Sequence, residues 1–172
     1  KSSFLTDNEI RFPTDLYMED IYFSERCMLL MRSYSRIMQS HYFYCINESG
    51  VMFGDSILRY YMHTAQIQNA TTEMVLEQSL INDCRYEYAY LHFSKAFAEP
   101  VQRMLRDERF FSYHNFRYLK ETLLHFFPDI LENPYVANDR SPEMLLYKEL
   151  ISQDYPEQLL QKLLLRFSES QQ

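Results

Sequence analysis

Residues 10–25 read Ile10-Arg-Phe-Pro-Thr-Asp-Leu-Tyr-Met-Glu-Asp-Ile-Tyr-Phe-Ser-Glu25. Pro13 and Thr14 interrupt an extended stretch, and the adjacent carboxylates Glu19 and Asp20 stand where that stretch turns into a helix. The run Ile21-Tyr22-Phe23 … Cys27-Met28-Leu29-Leu30-Met31 behind them predicts a helix from about Asp20 to Tyr34 with a buried face. Unpaired backbone N–H groups and the positive end of the helix dipole keep a carboxylate at such a position ionised. That suits a helix cap and a resting general base alike, and the two roles are compatible.

Outward from this stretch the pattern is helical. Residues 1–18 read as a short turn or helix followed by extended chain. Arg36 to Ile46, rich in aromatic and β-branched residues, predicts a strand. Glu48 to Gly54 is a loop holding both glycines of the chain. Helices are then expected over about Ser56–Gln68 and from Thr71-Thr72 towards Ala98. Pro100 starts or kinks a third that ends near Arg109. A fourth covers His114 to Phe127, stopped by Pro128. Ser141 and Pro142 supply the cap and first position of a fifth that ends near Ser152. Pro156 opens the last, where Leu159, Leu160, Leu163, Leu164 and Phe167 make an apolar stripe.

Composition narrows the classes of function. The 172 residues suit one domain or a large piece of one, with enough apolar chain for a real core. Two glycines stand where average usage gives roughly a dozen, so Gly-rich phosphate loops are absent and a strand-heavy fold is disfavoured. The net charge of −7 and the lack of a Lys/Arg cluster argue against a nucleic-acid partner. Cys27, Cys45 and Cys84, odd in number and widely spaced, read as reduced core thiols of a cytosolic protein. The longest apolar run is far short of a membrane span. None of the five histidines has metal-ligand spacing, so no metal site is expected and the default roles are core or surface.

Two phrases carry a resemblance. The first is Ser3-Phe4-Leu5 … Asn8-Glu9-Ile10-Arg11-Phe12-Pro13 … Leu16-Tyr17-Met18-Glu19-Asp20-Ile21-Tyr22-Phe23. The second is His41-Tyr-Phe-Tyr-Cys-Ile-Asn-Glu-Ser-Gly-Val-Met52. In order and separation they resemble the acceptor-side part of a bacterial family 2 glycosyltransferase of the GT-A type, over residues 1 to about 56. The pattern along the chain predicts a mainly α fold with one or two short strands, with 56–172 a helical C-terminal region. The resemblance makes residues 1–55 the C-terminal, acceptor-side end of a Rossmann-like α/β catalytic domain. It implies Asp20 as the base of an inverting sugar transfer, with Glu19 orienting it or binding the acceptor. Tyr42, Tyr44, Asn47 and Ser49 would neighbour the donor and acceptor.

The implied partners are a nucleotide-sugar donor and a glycan or lipid-linked acceptor. The family's divalent cation, Mg or Mn, is held by an Asp-x-Asp pair that this chain lacks, so no cofactor is expected here. The chain opens at Lys1-Ser-Ser-Phe without an initiator Met, and the expectation is a piece of a longer polypeptide, inactive without its donor half. Cys45 and Asn47 stand where relatives often carry basic residues, and Ser49-Gly50 replaces a Gly-Ser turn.

Other readings stay open beside this one. The aromatic stretch Phe110-Phe-Ser-Tyr-His-Asn-Phe-Arg-Tyr118 could stack on sugar rings or simply pack. The last helix, with Lys162 and Arg166 opposite its leucines, is a solvated face over the core, a contact with the inner face of a membrane, or a contact with another copy. The competing function is a non-catalytic helical interaction or effector-binding module.

Overall fold

The computed structural model describes residues 2–14, 17–36, 38–39, 45 and 57–170, the side chains of 57–58 and 168–170 excepted. The protein is mainly helical, with no strand among the described residues. Its helices are α1 (Ser2–Asp7), α2 (Glu19–Leu30), α3 (Ile57–Glu77), α4 (Arg85–His92), α5 (Glu99–Arg106), α6 (Tyr113–Phe126), α7 (Pro134–Ala137), α8 (Pro142–Ser152) and α9 (Glu157–Ser170). The strand expected over 36–46 falls mostly outside the described residues, and 36, 38, 39 and 45 are not in one. The glycine loop at 48–54 lies outside them too; the described part of residues 1–55 holds α1 and α2 with no strand, and a Rossmann-like portion is not shown.

Three turns explain how a glycine-poor chain bends. Ser79 ends α3 in the left-handed conformation, with φ 54°. The Ser79 N–H donates to the Leu76 carbonyl at 3.1 Å and the Leu80 N–H to the Val75 carbonyl at 3.0 Å. This is a Schellman closure without glycine. Glu9 (φ 53°) ends α1 the same way, with Ile10 N–H on the Leu5 carbonyl and the Ile10 side chain buried. Met18 (φ 66°) makes the third left-handed turn, just ahead of α2. Sequence reading allowed cheap positive φ only at the two glycines, so these three residues carry strain of roughly 1–2 kcal/mol each. Exposed Ser79→Gly is therefore expected to stabilise the fold by about 1 kcal/mol in urea unfolding. Loss of stability in that variant would mean the hydroxyl does more than the backbone argument allows.

The centre of the molecule is one rod, residues 85–106, in which α4 runs into α5 through a π-helical stretch, Phe93–Ala98. Pro100 has no N–H to give, and in a regular helix its ring would strike the carbonyl four residues back. The wider turn resolves the conflict: the Glu99 N–H reaches five residues back to the Ser94 carbonyl. The sequence reading of Pro100 as a helix start or kink becomes a bulge that the helix absorbs.

Around this rod pack α3, α6, α8 and α9. The core runs from Ala65 to Leu164, with Phe93, Phe97, Leu119, Leu123, Phe127, Leu150 and Leu160 almost wholly enclosed. Phe97 is tilted against Phe93 and Phe116 at 6.0 and 6.2 Å and meets Tyr147 edge-on at 6.3 Å, tying the π stretch to α6 and α8.

Caps match their residues. Ser112 accepts from the Asn115 N–H at 3.3 Å to open α6, and Ser141 accepts from Met144 at 3.3 Å to open α8. In α9, Leu160 and Leu164 face the core while Leu159 is 56 % exposed.

Four expectations are corrected. Thr71 and Thr72 do not start a helix; both are buried in the middle of α3, where the Thr72 hydroxyl pairs with Tyr88 and His92 on α4 in place of a capping role. Helix α2 ends at Leu30 and has no fully buried residue, because it packs outside α3 and leaves Met28 59 % exposed. The cysteines are not core thiols: Cys27 is half-buried, and Cys45 and Cys84 are exposed. The helix expected to run on towards Ala98 is broken at 78–84, between α3 and α4; further along, Asn133 caps the short α7 by accepting from the Tyr135 N–H at 2.9 Å.

Candidate functional site

The carboxylate pair opens α2. Glu19 and Asp20 are both exposed, and Asp20 Oδ1 accepts from the Ile21 N–H at 3.0 Å. The bond orients the carboxylate and leaves a second oxygen for another partner.

The entry to this helix is pinned from α3. The Tyr17 N–H donates to His63 Nδ1 at 2.8 Å, and the Tyr17 ring lies 5.3 Å from the His63 ring and under Arg59. Since Nδ1 accepts, a neutral ring carries its proton on Nε2. The 3.5 Å approach of Arg59 Nε to Nε2 then sets donor against donor and is a contact without a bond. Burial, helped by the Arg59 charge, holds His63 below the ordinary histidine range. At the foot of the segment, Phe12 stacks on Phe23 with ring centroids 4.2 Å apart.

Tyr42, Tyr44, Asn47 and Ser49 lie outside the described residues. The structure therefore brings together Glu19 and Asp20 and says nothing of the other four. Among the described residues no cluster of three or more His, Cys, Asp or Glu could hold a metal ion.

One polar cluster escaped the sequence reading. Between α2, α3 and α4 lie Glu25, Gln68, Thr71, Thr72, Tyr88 and His92. Thr72 Oγ1 pairs with His92 Nδ1 at 2.7 Å and with the Tyr88 hydroxyl at 3.3 Å, and Gln68 Nε2 donates to that hydroxyl at 3.3 Å. The signal was present as i, i+4 pairs, Gln68 with Thr72 and Tyr88 with His92, but only the fold shows that the two pairs face each other.

His92 is fully enclosed, edge-on to Phe126 and Phe127, and its Nε2 has no partner. Burial pushes its pKa down to about 4 and pushes Tyr88 up to about 12. Burial also raises the Glu25 carboxyl, opposed in part by the Thr71 hydroxyl beside it and then by the Lys95 charge. Glu25 Oε2 and Thr71 Oγ1 nevertheless make no hydrogen bond of normal geometry, so the hydroxyl helps the carboxyl as a nearby dipole. A 140 Å³ notch lined by Glu25, Met28, Leu29, Thr71, Tyr88 and Leu91 lies over this cluster.

The unfolded chain protonates histidine near 6.5, whereas His92 in the fold resists until about 4. Stability is therefore complete above pH 6.5 and falls as the pH drops towards 4, by about 3 kcal/mol from this residue. Urea unfolding at stepped pH should show that loss, and His92→Gln should flatten it. An unchanged slope in the variant would assign the loss to other groups.

Comparisons with family models, with characterised proteins and with solved structures find no match to this chain. Among the described residues no helix is long and apolar enough to cross a membrane.

Proposed function

We propose that this chain is the acceptor-side part of an inverting, nucleotide-sugar-dependent glycosyltransferase, with Asp20 as general base. The observation that supports the reading is an exposed Asp20 carboxylate at the first turn of α2, with one oxygen fixed by the Ile21 N–H. In this mechanism the second oxygen takes the proton from the acceptor hydroxyl while that oxygen attacks the anomeric carbon from the face opposite the diphosphate. The C–O bond to the diphosphate breaks as the new glycosidic bond forms, and the electron pair leaves with the diphosphate. Glu19, next to it and also exposed, binds or orients the acceptor. A divalent cation would be held by the donor half of the enzyme. The donor and the glycan or lipid-linked acceptor are the partners, and the enzyme works in the cytoplasm at or near the membrane's inner face.

The test is Asp20→Asn in the full-length enzyme, which should abolish transfer and leave nucleotide binding nearly intact. Unchanged turnover refutes the assignment.

A second reading, a helical interaction or effector-binding module, is favoured by one observation. Among the described residues, every fully buried apolar side chain except Ile10 lies between Ala65 and Leu164, and α2 adds the half-buried Leu29 against the outside of that core.

A further inference from the structure

Away from Asp20, a cavity of about 400 Å³ opens between α6 and the segment joining α8 to α9, within the size range of small-molecule sites. Its wall is Tyr113, Phe116, Arg117, Lys120, Glu121, Leu124, Asp154 and Tyr155. Phe116 and Lys120 are buried and make the floor, while Arg117, Glu121 and Asp154 are exposed and make the rim.

Three properties define what fits. First, the charges cancel: Arg117 and Lys120 face Glu121 and Asp154. A phosphate would meet two carboxylates and a free cation two ammonium-type groups, so neither is favoured. Second, donors and acceptors are both on offer. Arg117 Nη2 donates to Glu121 Oε1 at 2.6 Å, and Lys120 Nζ donates to Asp154 Oδ1 at 2.8 Å and to the Gln153 carbonyl at 2.6 Å. These bonds fix the side chains in place and leave a second oxygen on each carboxylate and further N–H groups on the guanidinium. Third, two aromatic rings are held rigid by their hydroxyls. Tyr113 donates to the Tyr155 carbonyl at 2.9 Å, and the Tyr155 hydroxyl binds Glu149 and, at 3.0 Å, Gln153.

A neutral polyol with one apolar C–H face satisfies all three conditions at once. Its hydroxyls pair with planar, pre-fixed carboxylate and guanidinium groups, and its C–H face lies on a Tyr ring. We infer that this cavity is a subsite for a neutral sugar ring. Resting on the glycosyltransferase reading, we assign it to a sugar unit of the acceptor some distance from the reacting hydroxyl. It gives one half of the aromatic stretch 110–118 a purpose: Tyr113 lines the sugar site, and Phe110 packs in the core.

The test is an amide NMR titration of the full chain with the methyl glycosides of glucose, galactose and N-acetylglucosamine, and separately with inorganic phosphate. At least one glycoside should shift the Tyr113, Arg117, Lys120 and Glu121 amides saturably with a Kd on the millimolar scale. Glu121→Gln and Tyr155→Phe, both compatible with the fold, should each weaken it about fivefold or more, while phosphate leaves these amides unmoved. Binding of phosphate without any glycoside, or no saturable shift at all, overturns the inference. Asp20→Asn should leave this binding unchanged. A chain that binds sugar here yet transfers normally without Asp20 would keep the subsite and lose the transferase assignment. Asp20-dependent transfer without sugar binding here would do the reverse.

Discussion

Phe97→Ala is expected to lower the unfolding free energy by about 3–5 kcal/mol, the range found for buried aromatic residues cut back to alanine. Phe97 has no solvent exposure and sits inside the π stretch, against Phe93, Phe116 and Tyr147. The hole left behind cannot collapse easily. The backbone around it is already fixed by the bulge that accommodates Pro100, and the neighbouring rings are held from α6 and α8. A domain of this size has about 5–15 kcal/mol in total, so the variant should lose a large part of its stability and unfold at much lower urea. A cost below about 1 kcal/mol would show that the cluster is loosely packed, and that the rod is not what holds α6 and α8 together.

Asp20→Asn is the larger functional change. Asparagine has the same size and can still accept the Ile21 N–H, so the first turn of α2 should form as before. Only the basicity is removed. Loss of a positioned general base slows a reaction by about 10²–10⁴-fold, and the whole of that should appear in kcat of the full-length enzyme, with donor affinity within about twofold. Glu19→Gln serves as the comparison. If Glu19 positions or binds the acceptor, its loss should raise KM for the acceptor more than it lowers kcat. Circular dichroism and unfolding of both variants should match the parent. A purely capping role for Asp20 would instead leave both stability and turnover of Asp20→Asn close to the parent's, since asparagine caps as well as aspartate.

Much of the helical frame was legible because its signals are local. Ser141 followed by Pro142 marks the start of α8, Pro128 marks the end of α6, and the Leu160/Leu164 spacing marks the buried side of α9. What failed depended on partners far away in sequence. Thr71 and Thr72 look like a helix start, yet Thr72 is buried by Tyr88 and His92, sixteen and twenty residues further on. Pro100 looks like a boundary, and only a bulge drawn from the preceding six residues keeps the helix going. Ser79, Glu9 and Met18 take a backbone conformation usually left to glycine, which composition cannot reveal. Cys84 was expected in the core, yet Asn82, Asp83 and Arg85 beside it are polar, and it lies between α3 and α4 facing solvent.

For the site, the position of Glu19 and Asp20 at a helix start could be read from Pro13 and the apolar run that follows. The His63 contact that pins that start could not, since it joins residues 46 apart. The sugar-sized cavity combines α6 with Asp154 and Tyr155, more than thirty residues downstream, and only the fold brings them together.

The most direct measurement is single-turnover transfer by the full-length enzyme with donor already bound, comparing the native residue at position 20 with asparagine. The account predicts at least a hundredfold slower sugar transfer with the nucleotide still held. Equal rates would contradict it and leave the helical module as the surviving reading.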